Sequence, residues 1–285
     1  MVSEAIVVPW FLQDSNMKCY INRVITDKDL QSDIKSLIPD AGLRRRMSRI
    51  IKSAVSVAVE CIEGVNNIDS LDAIITATGW GCLTDSERFL TNIIKDKEQL
   101  LNPTPFIQST FNTVGGQIAL LRHNHCYNVT YVNRSHSFED ALLDAMMRIS
   151  DNDSNNIIVG AFDEKTPSQH IIMERMGLFR KYNNGEGVVF AHITAEPRKE
   201  SIAILDLIDF PKQTMTEEKC LKLYGTTENS QMLYNAAYQY GIFPTASAHC
   251  FAEAVKLVQE QHKEVIVYND FLGGAPVVLR VKCIG

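Results

Sequence analysis

Residues 127–149 read YNVTYVNRSHSFEDALLDAMMRI, and this stretch decides the fold. Its first six residues are mostly aromatic or β-branched, which predicts a short strand. Its second half has apolar residues at helical spacing, which predicts an amphipathic helix. That apolar face consists of Phe138, Ala141, Leu142, Ala145, Met146 and Ile149. A polar turn, NRSHS, joins the two elements. A sharp strand-to-helix turn of this kind can hold a nucleophile.

Strands and helices alternate along the rest of the chain. Apolar residues at helical spacing predict a helix over residues 42–63, and a buried strand follows at residues 73–77. A wholly apolar strand, IIVGAF, ends in the carboxylate pair Asp163 and Glu164. This alternation predicts an α/β fold with a layered sheet. The segment EPRKES interrupts two strands and suggests two parts, residues 1–198 and 199–285, or one domain formed by both.

Composition excludes several classes of function. The chain has 285 residues, a net charge of −6 and a pI near 5.7, so we expect no nucleic-acid partner. No apolar run is long enough for a membrane span. The seven cysteines form no CxxC pair, which disfavours a zinc site or disulfide framework and fits the cytoplasm. The segment TGWGC matches neither GxGxxG nor a Walker loop. We expect neither a metal nor a cofactor.

The turn has a chemical and a structural interpretation. Counting back from the apolar helix face places Ser135 at the nucleophile position, with Asn133 or Arg134 there if the turn is shifted. Asn133, Ser135 and Ser137 are equally good helix N-caps, so helix capping alone explains why these polar residues occur in the turn. A serine also needs a general base. Spacing pairs none of the available histidines with Ser135, namely His123, His125, His136 and His249.

Several segments together resemble the β-ketoacyl-acyl carrier protein synthases of the thiolase superfamily. They are LRRRMSRIIKSAV, LDAIITATGWGCLTDSERFL, NPTPFIQSTFNTVGGQIAL, YNVTYVNRSHSFEDALLDAM, NIIVGAFDE and GEGVVF, and they span most of residues 40–190. The chain is most similar to the divergent branch of aryl polyene, flexirubin and related pathways. The resemblance implies a thiolase-like αβαβα fold, here with a shortened C-terminal half.

The resemblance also implies a site. The family's nucleophilic cysteine falls at Ser135, and its two histidines fall at Tyr224 in LYGTTENS and Pro244 in YGIFPTASAHC. The family's closing glycine-rich stretch resembles YNDFLGGAPVVLRV. Further elbow and pocket candidates are Asn133, Arg134, Thr226, Thr245, Asn269, Gly273 and Gly274. Proline has no side-chain donor, and a tyrosine can donate one hydrogen bond. Condensing activity is therefore not expected.

The family offers a role for such a chain. Chain-length-factor subunits resemble the synthase, lack its cysteine and form a heterodimer with an active synthase through the strand before the elbow, here YNVTYV. We therefore predict a condensation-impaired partner subunit that acts on chains bound to acyl carrier protein. One alternative is an enzyme, a serine-dependent acyltransferase or atypical synthase using Ser135. Another is a homodimeric scaffold without chemistry.

Overall fold

One mixed sheet runs through the computed structural model of the protein, which describes residues 17–63, 71–234, 239–261 and 264–284. Its nine strands have the order β3-β2-β4-β5-β1-β6-β9-β8-β7. From β1 to β9 they are Cys19–Thr26, Ala73–Ala77, Tyr127–Tyr131, Asn156–Asp163, Gly187–Thr194, Ala203–Asp209, Gln231–Tyr234, Val265–Asn269 and Val277–Lys282.

The described helices surround this sheet. From α1 to α10 they are Ile34–Leu37, Ala41–Arg46, Arg49–Glu63, Leu83–Lys95, Pro103–Ser109, Thr113–Arg122, Ser137–Ser150, Pro167–Arg175, Glu217–Tyr224 and Ser247–Gln261. None of these helices is both long and apolar enough to cross a lipid bilayer.

The alternation of side chains along each strand divides the apolar core into layers. Ile75 of β2 faces a central cluster, whereas its neighbour Ile74 faces an outer cluster under α3 and α6. In the other half of the sheet, Val267 of β8 faces the same central cluster and Ile266 faces a second outer cluster under α9. The two half-sheets therefore enclose one shared layer, and a helical layer covers each outer face. This is the predicted αβαβα arrangement, and it confirms the α/β fold.

Helices α7 and α10 form the shared central layer. Both contribute their apolar faces to the central cluster, together with strands of both half-sheets. Phe138 of α7 and Phe251 of α10 meet edge to face, with ring centroids 5.6 Å apart. The residues predicted for the apolar face of α7 are all buried.

The two half-sheets repeat one topology with one difference. Strands β2, β4, β5 and β1 follow each other in space as do β7, β8, β9 and β6, with the same parallel and antiparallel pairings. Among the described strands, β3 has no counterpart in the second half. The halves meet where β1 pairs with β6. The division of the chain at residue 198 stays a prediction.

The long helix predicted over residues 42–63 is wrong in one respect. The chain forms two helices, α2 and α3, because Met47 leaves the helical conformation with φ −68° and ψ 131°. Met47 is buried, so this break turns its side chain into the core. Asp40 begins α2 by accepting hydrogen bonds from Gly42 N and Leu43 N.

We predict that Phe251→Ala lowers the free energy of unfolding by about 3–5 kcal/mol, because it leaves a cavity where the two half-sheets share their core. Ile94→Ala is the matched control, since Ile94 is 79% exposed and its truncation should change stability by less than about 0.5 kcal/mol. Urea unfolding of both variants measures the difference. A loss below about 1 kcal/mol for Phe251→Ala would contradict the shared central layer.

Candidate active site

The turn after β3 has the geometry of an elbow, and Arg134 is the residue at its bend. Arg134 has φ +50°, a left-handed conformation that costs a non-glycine residue about 1–2 kcal/mol. Ser135 is not among the residues with positive φ. A short 3₁₀ turn, Arg134–His136, then leads into α7. The strained residue is therefore Arg134, one position before Ser135. The sequence predicted the nucleophile position at Ser135.

Ser137 holds this bend from the first turn of α7. Its buried hydroxyl accepts a hydrogen bond from Asn133 N at 2.8 Å and donates one to Arg134 O at 2.8 Å. The Asn133 side chain donates to Asp140 of α7 at 2.8 Å. Among the three predicted caps, Ser137 thus bridges both sides of the strained residue, and these bonds offset part of its strain.

The loop after β2 and the segment before α10 pack against the elbow. A β-carbon built on Gly79 would lie 2.2 Å from Pro244 Cβ and 3.1 Å from Arg134 O. Only glycine fits at this position, which explains the first glycine of TGWGC. Pro244 therefore does lie beside the elbow, but it brings no polar side-chain atom to it.

Asp163, the last residue of β4, ties these segments together. Its fully buried carboxylate accepts hydrogen bonds from Thr78 Oγ1 at 2.8 Å, Gly79 N at 3.0 Å and Trp80 N at 2.8 Å. It also accepts two from Thr245, from N at 3.1 Å and from Oγ1 at 2.8 Å. Burial raises the pKa of Asp163, and these donors act in the opposite direction. One carboxylate thus joins β4, the β2 loop and the start of α10.

The loop between β8 and β9 covers the other side of the elbow. Asn269 Nδ2 donates to Glu139 Oε1 at 2.9 Å and approaches Ser135 O at 3.4 Å. His136 Nε2 donates to Ala275 O at 3.0 Å, just after the predicted Gly273 and Gly274. Glu139 is fully buried, and burial raises the pKa of its carboxyl. This loop therefore fixes the first turn of α7 through backbone and side-chain bonds.

Ser135 lacks the partners that a nucleophilic serine requires. In the part of the chain that the structure describes, its half-buried hydroxyl has no hydrogen-bond partner. The adjacent His136 uses Nε2 to donate to Ala275 O. His249 stacks on Tyr240 and points at Gly187, and burial lowers the pKa of its imidazole to about 4. No described base therefore activates Ser135.

Two further predicted site residues, Tyr224 and Thr226, have their hydrogen-bond partners in the second half of the chain. Tyr224 ends α9 on the outer face of the second half-sheet, where its hydroxyl donates to Asp209 at 2.5 Å. Thr226 bonds through N and Oγ1 to Glu264, which precedes β8, whereas Asn269 ends that strand. Because β8 spans five residues, Glu264 and Asn269 are on the order of 15 Å apart. Thr226 therefore lies away from Asn269, whereas Asp209, the partner of Tyr224, precedes Phe210, whose ring centroid is 6.0 Å from that of His136.

Asp163, Glu139 and Gly79 were not among the predicted site residues. The sequence does carry a signal for Asp163, because an acidic residue that directly ends a wholly apolar strand must find buried donors. Glu139 lies on the apolar side of α7 next to Phe138 and gave no comparable signal. Within the described ranges, no three His, Cys, Asp or Glu side chains converge as a metal site requires.

Comparison with known proteins gives a family match. The family model described as "Beta-ketoacyl synthase, N-terminal domain" matches residues 25–208, well over half of the chain. A comparison with curated protein sequences returns no match.

Solved structures share the fold at low sequence identity. The ishigamide ketosynthase/chain length factor is similar with a TM-score of 0.73 and 13% identity, covering 89% of this chain and 86% of that chain. The AntDE:AntF complex, an acyl-carrier protein with its type II polyketide ketosynthase, is similar with a TM-score of 0.75 and 12% identity, covering 94% and 99%. The ketosynthase ApeO with its chain length factor ApeC, from Xenorhabdus doucetiae, gives a TM-score of 0.59 and 11% identity, covering 93% and 99%.

We predict that Asp163→Asn destabilises the protein by about 2–5 kcal/mol, because an amide cannot accept from all five donors and leaves buried groups unpaired. The exposed Asp96, at the end of α4, gives the control variant Asp96→Asn, which should leave stability nearly unchanged. Urea unfolding and hydrogen exchange at Gly79, Trp80 and Thr245 report the effect. Unchanged exchange at these amides would show that Asp163 does not hold the segments together.

Proposed function

The chain belongs to the β-ketoacyl synthase family, and on that premise we propose that it is a condensation-impaired partner subunit of an active synthase. The pair would act on acyl chains bound to acyl carrier protein, in biosynthesis of the fatty-acid or polyketide type. The similarity to ketosynthase and chain length factor pairs supports this role. The sequence resemblance to the aryl polyene branch supports a pathway of that kind, and the free cysteines support a cytoplasmic location.

The observation that carries the proposal is Arg134 at the bend of the elbow. A nucleophile at this place would have to attack a thioester, as the family's cysteine thiolate does. A guanidinium has only hydrogen-bond donors and no acceptor, so Arg134 is not a nucleophile. Ser135 follows one residue later, without positive φ and without a base. The elbow thus retains its shape, and neither residue is suited to accept an acyl group.

The residues at the implied histidine positions support the same conclusion. Pro244 packs on Gly79 and offers no hydrogen bond. The Tyr224 hydroxyl is taken by Asp209, and both burial and this bond raise the pKa of the phenol. Loss of one oxyanion donor typically costs about 10²–10³ in rate. With both donors and the nucleophile altered, condensation by this chain alone is not expected.

The surface around β3 supports a partner. Among the described strands, β3 pairs only with β2, so its other edge presents unpaired backbone groups. Val132, the apolar residue that directly follows β3, is 42% exposed. An open edge beside an exposed apolar residue is a surface that another subunit can cover. We propose that the synthase partner pairs with β3.

Reconstitution tests this function with three samples, each given malonyl- and acyl-carrier protein. We predict no 3-oxoacyl product from the purified chain alone, and product from the chain copurified with a synthase encoded beside it. The third sample pairs the chain with that synthase after removal of the synthase's own nucleophile, and we expect no product. Mass spectrometry of the carrier protein measures the outcome. Condensation by the chain alone, or by the third sample, would contradict the proposal.

A further inference from the structure

A groove between α2 and the end of α6 lies apart from the candidate active site. Its volume is about 380 Å³, and it is lined by Asp40, Leu43, Arg46, Leu120, Leu121 and His123. Two of its leucines pack against the outer cluster under α3 and α6, whereas the elbow leads into α7 of the central layer. The groove is therefore a second concave surface, on the outer face of the first half-sheet.

Three leucines give this groove an apolar surface. Leu43 and Leu121 are half-buried and pack on the outer cluster, and Leu120 is 59% exposed. Sites for small molecules typically enclose about 300–1,000 Å³ and combine a mostly apolar lining with a few polar groups. The groove lies at the low end of that range, so it fits the chain of a small amphiphile.

Arg46 differs from the two arginines before it, because its guanidinium bonds to no described residue. Arg44 donates to Ile38 O, and Arg45 Nε donates to Ala41 O at 3.3 Å. In the part of the chain that the structure describes, the side chain of Arg46 has neither a hydrogen bond nor an ion pair. A guanidinium with free donors matches the geometry of a carboxylate or a phosphate.

Asp40, the acidic residue of the lining, is already used by the fold. Its Oδ1 atom begins α2 by accepting hydrogen bonds from Gly42 N and Leu43 N. These two N–H groups, and to a smaller extent Arg46 and Arg44, hold the pKa of Asp40 below its ordinary value. Since α2 carries three arginines beside this one carboxylate, the α2 side of the groove keeps a surplus of positive charge.

His123 brings a second donor, from α6. It ends that helix in the left-handed conformation, with φ +50°. Among the described residues its ring has no hydrogen-bond partner, and an imidazole always carries at least one N–H donor. Two side chains with free donors therefore stand beside three leucines, which is the arrangement that suits an apolar chain with a negative head group.

We infer that this groove binds a small amphiphile with one anionic head group, a carboxylate or a phosphate. Arg46 and His123 hold the head, and the chain lies on the leucines. A neutral amphiphile would leave the guanidinium unpaired, and a cationic one would meet the positive surplus of α2. The site goes beyond the proposed function, because it involves neither the elbow nor the open edge of β3.

A titration followed by NMR tests the inference on the full chain. The probes are octanoate, octyl phosphate, octanol and octylammonium, each kept below its critical micelle concentration. We expect at least one anion to bind about five-fold or more tightly than octanol, and octylammonium more weakly than octanol. The tighter of the two anions identifies the head group. The ring signal of His123, assigned with His123→Gln, should shift as the anion binds.

Three variants locate the site. Arg46→Gln should weaken anion binding about five-fold and remove the preference over octanol, because it removes the charged fork. The matched control Arg45→Gln lies next to it on α2 and should change the affinity by less than about two-fold, since Arg45 is directed to its own helix. Leu120→Ser should weaken the anions and octanol alike, because it removes apolar contact only.

Several results would overturn the inference. They are equal affinities for octanoate, octyl phosphate and octylammonium, an unchanged affinity for both anions in Arg46→Gln, and no binding of either anion by the unmodified chain. Binding of acyl carrier protein that Arg46→Gln abolishes, without binding of either anion, would also overturn it, because the groove would then serve a protein partner. None of these results bears on the reconstitution test of the proposed function.

Discussion

The buried carboxylate of Asp163 is the interaction on which the site depends. Five donors from two segments converge on it, and the two segments belong to different halves of the chain. Through Thr245 it sets where α10 begins, and α10 forms the central layer together with α7. Through Gly79 it sets the loop that packs on Pro244 and Arg134. Because a buried carboxylate is costly without donors, each segment has to be in place for the others to be stable.

This constraint explains how the fold can hold an elbow that has Arg134 at its bend. Ser137, Asn269 and the backbone around Gly79 hold the bend from three sides, and none of them needs a nucleophile at its centre. The strain of φ +50° at Arg134 is therefore supported by the surrounding structure. A residue of different chemistry can occupy the bend as long as these contacts persist. The proposed partner role needs only the shape of the site and the open edge of β3.

Much of the fold was predictable from the sequence, because it depends on periodicity. The apolar face of α7, the buried strand β4 and the alternation of strands and helices all follow from side-chain spacing. The break at Met47 was not predictable in this way, since its apolar side chain continues the helical pattern on both sides.

The site was predictable only in part, because it depends on backbone conformation and long-range contacts. The sequence NRSHS is compatible with a bend at Asn133, Arg134 or Ser135. Only the positive φ of Arg134 shows which residue forms it. Likewise, Tyr224 matches a motif in sequence but ends a helix on the outer face of the sheet. Asp163 could be recognised in the sequence as an acidic residue that ends an apolar strand. Its hydrogen-bond donors could not be recognised, because they lie about 80 residues away on either side.

The central claim is that residue 134 occupies the nucleophile position of the elbow. The reactivity of a cysteine placed at the elbow tests this claim most directly. The rate of alkylation by iodoacetamide is measured peptide by peptide in Arg134→Cys and Ser135→Cys, with the exposed Cys126 of the same sample as reference. A thiol at the bend, before the N-terminus of α7, should have a lowered pKa. We predict that Cys at position 134 reacts about ten-fold faster than Cys126 and faster than Cys at position 135. A faster reaction at position 135, or no difference from Cys126, would contradict it.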